Sequence, residues 1–95
     1  MHVEFETDAE RDLDDIAAYL TERNPAAAAR CLTSILSTID HLGAFPLLGQ
    51  PDVVPGLRRI LVPRLPYVVV YHLPDQYHVR IDRVLHTSRD WPPER

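Results

Sequence analysis

The chain contains no lysine; all ten of its basic residues are arginine. No side-chain amine is present to act as a general base or to form a Schiff base. There is one cysteine, Cys31. It excludes an internal disulfide and any cluster of metal-binding thiolates, and it points to a reducing compartment. Glycine is scarce, at three residues in 95, while hydrophobic residues make up 45%. That balance belongs to a folded chain rather than a disordered one. Long apolar runs are missing too, for the longest span a few residues and a membrane helix needs ~18 or more. No apolar segment of a signal peptide opens the sequence, where residues 2–15 are dense in acids. The expected location is the cytoplasm.

Strong positive charge is also lacking, with a formal net charge of -4. A tight, nonspecific nucleic-acid binder carries a strong basic patch. Residues 1–40 hold nine acids and three arginines, a net -6, and residues 41–95 hold five acids and seven arginines, a net +2. Any basic patch is therefore local and lies in the second half. A chain of 95 residues makes one domain, taken as 1–95. Its core is thin enough to lean on a partner for stability.

Several periodic segments are present. Residues 2–6 (HVEFE) alternate, with Val3 and Phe5 on one face, which signals a short strand. Thr7 and Glu10 have the spacing of a capping box, so Thr7 is expected to cap a helix. Asp8 and Glu10 suit the positive end of its dipole. Ala9, Leu13, Ile16, Ala17 and Leu20 then recur at helical spacing, and Asp12, Asp14 and Asp15 are expected to face solvent. Asn24-Pro25 restarts the chain as N-cap and first helical residue. Ala28, Leu32, Ile35, Ile39 and Leu42 form the stripe of a second helix, ended by Gly43. Cys31 and Leu36 flank that stripe. The short link makes the pair an antiparallel helical hairpin.

Residues 45–56 are rich in proline and glycine and are expected to form a loop. Residues 57–62 have strand character, with Arg58 on the face of Ile60 and Val62, and Arg59 on the other. Residues 63–66 make a turn. Residues 67–72 contain three consecutive valines, the pattern of a central strand covered on both faces. A turn at 73–76, around Pro74-Asp75, leads to a last strand over 77–85 whose polar face carries His78, Arg80 and Asp82. The order is β-α-α-β-β-β, an α+β domain with a helical hairpin packed on a small antiparallel sheet.

That layout resembles the ParE/RelE toxin superfamily over nearly the whole chain. The marks are Ala9-x-x-Asp12-Leu13-x-x-Ile16-x-x-Tyr19, Pro25-x-x-Ala28, Ile39-x-x-Leu42, Pro46-x-x-Gly49 and Gly56-Leu57-Arg58. Pro66-Tyr67, Tyr71 and Arg83-Val84-Leu85-His86-x-x-Arg89-Asp90 complete them. The resemblance implies the toxin of a two-gene toxin–antitoxin module. ParE-like members poison DNA gyrase, and RelE-like members cut messenger RNA in the ribosome. The ribonuclease members are usually strongly basic and place an arginine in the third strand, where this chain has Val68, Val69 and Val70. The acidic, lysine-free composition and the His86-x-x-Arg89-Asp90 tail look most like the ParE side. The resemblance then implies a ParD-like antitoxin as partner, DNA gyrase as target, and no cofactor. The alternatives are a ribosome-dependent endonuclease and a module partner that has lost toxicity.

Four residues stand out chemically. His86 can shuttle a proton near neutral pH, and Arg89 can grip a phosphate in a bidentate fork. The alternative is that His86 caps the sheet and Arg89 pairs with Asp90 or Asp82. Arg58 occupies the family's arginine position after Gly56, for a target or for an acid of the antitoxin or of the first helix. Tyr71 is a buried phenol seeking a partner, or an acid–base group in a ribonuclease. Target binding thus falls to Arg58, His86 and Arg89, and a ribonuclease would add Tyr71. Tyr19 and Tyr67 are expected to pack. His72 and His78 flank the last turn with too few ligands around them for a metal. Leu36 and Leu48 are candidates for exposed apolar flanks that an amphipathic antitoxin segment covers.

Overall fold

The structure is a computed structural model and describes residues 1–88. Strand β1 (His2–Phe5) feeds helix α1 (Thr7–Arg23), and α2 (Pro25–Ala44) follows. Four strands complete the fold: β2 (Gln50–Pro51), β3 (Arg58–Leu61), β4 (Tyr67–Asp75) and β5 (His78–His86). They form one sheet in the order β1-β5-β4-β3-β2. The expected class and element order hold, with β2 as a two-residue strand inside the segment expected to be loop. The sheet is mixed rather than wholly antiparallel. β1 runs parallel to β5, with Val3 opposite Val79 and Phe5 opposite Ile81. Tight turns force antiparallel neighbours, but β1 and β5 are joined through every other element, so nothing imposes that direction on them.

The helix starts differ from expectation at one end. Glu6, not Thr7, is the N-cap of α1, and no side chain caps it. Glu6 is still held by the sheet: its amide donates to the Ile81 carbonyl at 2.9 Å, and its carboxylate lies 3.1 Å from Arg80. The helix therefore begins directly off the strand, and Thr7 becomes its first residue. Asn24 behaves as expected, its Oδ1 accepting from the Ala27 amide at 3.1 Å. Its own amide closes α1 on Leu20 at 2.8 Å, so one residue serves both helix ends. Helix α2 continues through Gly43 to Ala44. A Cβ on Gly43 would sit 3.3 Å from both the Met1 carbonyl and Val3 Cγ2. The glycine is there to let β1 press close, not to end the helix.

Both helices cover one face of the sheet. Ala9, Ile35, Ile39 and Leu42 pack on Val62, Val69, Tyr71, Val79, Ile81 and Val84, with Cys31 in the same core rather than on its flank. Val68, Val70 and Leu85 are buried with Leu57 in a second, smaller cluster. The three valines of β4 thus alternate between two buried clusters, as a run of consecutive apolar residues implies. Beyond Ile81 the pairing of β5 with β4 skips a residue, since Tyr71 faces Ile81 and Val70 faces Arg83. The bulge at Asp82 shifts the phase of β5, so Val84 and Leu85 are both buried. Strand β4 runs on to Asp75, and the turn contracts to Gln76 and Tyr77. Asp75 closes it by accepting from the Tyr77 amide at 2.7 Å. Among the described residues no helix is long and apolar enough to cross a membrane.

Candidate functional site

Arg58 and Tyr71 are register partners on neighbouring strands. The Tyr71 hydroxyl and Arg58 Nη2 both bond the loop that precedes β2, while Arg58 Nε is buried without a partner among the described residues. The Tyr71 hydroxyl donates to the Pro46 carbonyl at 2.8 Å and accepts from the Gly49 amide at 2.9 Å. The side chain is fully buried. Arg58 Nη2 donates to the carbonyls of Gly49 at 2.5 Å and Leu47 at 3.3 Å. A Cβ on Gly49 would lie 2.7 Å from both the Arg59 carbonyl and the Tyr71 hydroxyl, so glycine is required for the loop to reach them. Arg59 turns to the other face, where Asp52 lies 3.8 Å away.

His86 stands at the opposite end of β4, paired with Tyr67. Tyr67 and Tyr71 are four residues apart on one strand, about 13 Å. Arg58 and Tyr71 therefore do not share a site with His86. The His86 ring is exposed and meets Tyr67 edge-on, with centroids 5.5 Å apart. Its Nδ1 accepts from the Ser88 amide at 3.1 Å and contacts the Ser88 hydroxyl at 2.7 Å. An amide is a fixed donor, so the neutral ring carries its proton on Nε2. Arg89 lies outside the described residues.

His86 and Tyr67 belong to a groove of about 710 Å³ between the helical hairpin and this end of the sheet. Ile16 and Leu20 of α1, Cys31 of α2, and Leu65 give it an apolar lining, and Asp12 and Asp15 lie on the α1 side. Burial pushes the Tyr67 phenol and the Cys31 thiol up from their ordinary ranges, so both stay neutral. Tyr19, expected to pack, is 55% exposed at the groove and carries Arg23 over its ring at 3.6 Å. Leu36 and Leu48 are exposed, as expected, and Phe45, Leu47 and Val53 beside Leu48 in sequence are exposed as well.

Asp12 corrects the expected solvated face of α1. It is 8% exposed and accepts from Arg83 Nε at 2.8 Å, Arg83 Nη2 at 3.0 Å and the Val84 amide at 2.9 Å. Strand β1 pairs β5 only as far as Ile81. The Asp12 carboxylate takes the place of a missing strand partner for the Val84 amide. Its hydrogen bond and charge push the Arg83 guanidinium above its usual range. One signal was in the sequence: position 12 lies three after Ala9 and four before Ile16, on the buried stripe.

The polar face of β5 makes a separate network. Arg80 reaches Glu4 at 2.9 Å and Glu6 at 3.1 Å. His72 and His78 each pair with a carboxylate. His72 Nδ1 lies 2.7 Å from Asp82, and His78 Nδ1 lies 2.8 Å from Asp75. Burial raises the Asp82 carboxyl, with the His72 hydrogen bond pulling the other way. The His78 hydrogen bond lowers Asp75. Among the described residues no group of three or more His, Cys, Asp or Glu is placed to hold a metal.

Comparison with known proteins places this geometry among relatives. A family model described as the ParE toxin of the type II toxin-antitoxin system, parDE, matches residues 3–91. The chain is 33% identical over 82 residues to Y4kP of Sinorhizobium fredii, a protein that bears a toxin name. That alignment covers 86% of this chain and 83% of the relative. A solved structure of the chromosomal ParDE system from P. aeruginosa matches with a TM-score of 0.80 at 24% identity. It covers 90% of this chain and 95% of its own, a likeness of fold.

Proposed function

The chain belongs to the ParE toxin family of type II toxin–antitoxin systems, and from that premise we propose that it acts by binding, in the cytoplasm, as an inhibitor of DNA gyrase neutralised by a co-encoded ParD-like antitoxin. The observation that carries a binding mode is the commitment of Tyr71 and Arg58. The Tyr71 hydroxyl and Arg58 Nη2 hold the 46–49 loop in place, and a phenol with both partners satisfied inside the core has no proton to trade with a substrate. The apolar groove beside His86 supports the antitoxin half of the reading. A thin core with such a groove gains stability when an amphipathic segment covers it. Arg58 then acts through the loop it positions, while His86, exposed at the end of β5, and Arg89 supply contacts for the target.

The test is expression of the chain alone and with the protein encoded beside it. Alone, it is expected to stall replication and filament the cells. With its neighbour it is expected to co-purify, melt at a higher temperature and lose toxicity. Rapid, codon-dependent cuts in ribosome-bound messenger RNA would replace this reading with the endonuclease. A chain that binds its neighbour yet harms neither target would be a module partner without toxicity.

A further inference from the structure

Arg64 is the sole non-glycine residue with positive φ among those described, at φ 66. It follows Pro63 in the turn between β3 and β4, which the Leu65 amide closes on the Val62 carbonyl at 3.2 Å. Proline then a left-handed residue is the pattern of a type II turn, whose second central position favours glycine or asparagine. A Cβ there is strained, so arginine needs a compensating role. The described residues offer none. Arg64 is exposed, and among the described residues it makes no ion pair or hydrogen bond. Arg11, Arg23, Arg59, Arg80 and Arg83 each lie against a carboxylate, and Arg58 binds carbonyls. Among the described residues Arg30 is the other unpaired arginine, and its backbone is ordinary helix.

The position of the turn suggests what the side chain is for. Leu65, the next residue, lines the groove between the helical hairpin and the sheet. Asp15 lies on the α1 side of the same groove. An apolar channel therefore has an acid on one side, and on the other a lining residue that directly follows an exposed arginine with no partner among the described residues. We propose that Arg64 is a specificity-determining contact for the antitoxin, taking a carboxylate on one flank of an amphipathic segment seated in this groove. The turn sets Arg64 immediately before Leu65 and Pro66 of the groove lining, and a charge-assisted bond to the partner offsets the strain. This rests on the antitoxin reading above and adds the residue and the sign of charge it recognises.

Arg64→Gly separates this role from a structural one. Glycine relieves the turn, so the variant is expected to melt higher than the parent. It is also expected to bind the antitoxin encoded beside the chain about ten-fold more weakly, the loss of one charge-assisted contact. Arg64→Glu is expected to weaken binding by about a hundred-fold, and a lysine at one acidic position of the antitoxin is expected to restore it. Parent-level affinity in Arg64→Gly overturns the proposal. So does a variant that loses stability and affinity together, since Arg64 then serves the fold. If the parent chain itself fails to bind that antitoxin, the antitoxin reading falls, and this contact with it.

Discussion

Asp12 and Arg83, 71 residues apart, form a two-pronged ion pair that fastens α1 to the bulged half of β5. The pair is 8% and 21% exposed, and the same carboxylate holds the Val84 amide. Removing one partner leaves a charge out of water without an opposite. Asp12→Ala is therefore expected to destabilise the chain by about 3–5 kcal/mol. Asp12→Asn keeps an acceptor for the amide and is expected to cost less. Denaturant melts of both, of Arg83→Met, and of Asp12→Ala combined with Arg83→Met measure it. The double variant should lose less than the two single losses combined, and full additivity would mean that the pair is not coupled.

Tyr71 offers a second test, because a structural and a chemical role diverge there. Tyr71→Phe removes two hydrogen bonds and keeps the ring. A cost of about 1–3 kcal/mol is expected, with faster amide exchange at Gly49. Gly49→Ala forces a methyl against the Arg59 carbonyl and should cost a similar amount. A ribonuclease phenol would instead give unchanged melting and lost RNA cleavage.

The pH dependence of stability separates two acids with opposite shifts. Asp75 is lowered by His78, so its contribution is present above its unfolded pKa of about 3.9 and is lost as the pH falls. Asp82 is raised by burial, so its contribution is present below that value and is lost as the pH rises through the raised pKa. Asp82→Asn removes the buried charge and leaves an acceptor for His72. Its melting temperature is expected to exceed the parent's at pH 7, with the gap closing below about pH 4. A lower melting temperature at pH 7 would show that the His72 bond outweighs burial.

His86 and Arg89 rank the two mechanisms. For a binding toxin, Arg89→Ala is expected to weaken toxicity more than His86→Gln, which keeps hydrogen bonding and loses titration. For a ribonuclease the order reverses, and loss of His86 costs about 10²–10⁴ in rate. Antitoxin binding by each variant shows that the fold survived. Full toxicity in both would move the target surface to the Arg58 loop or the helical hairpin.

Much of the fold was legible because it rests on local pattern. The stripes of α1 and α2, the Asn24-Pro25 restart and the valines of β4 each announce one element through spacing alone. Long-range choices were not legible in that way. Nothing local says that β1 lies parallel to β5, or that β5 bulges at Asp82. Asp12 was misplaced because an aspartate among aspartates looks solvated, although its position lies on the buried stripe. Its partner, Arg83, is distant in sequence and brought close by the sheet. Arg58 and Tyr71 were found by type, but their attachment to the 46–49 loop depends on Gly49 fitting beneath the hydroxyl. Arg64 gives no sequence signal beyond the preceding proline, since its left-handed backbone is set by the hairpin it closes.

Purified gyrase, supercoiled plasmid and ATP should be incubated with the chain, with and without its antitoxin, and the DNA resolved after protein denaturation. The expected result is linear DNA from trapped gyrase cleavage complexes, abolished by the antitoxin. Intact plasmid and normal supercoiling, together with messenger RNA cut in programmed ribosomes, would contradict it.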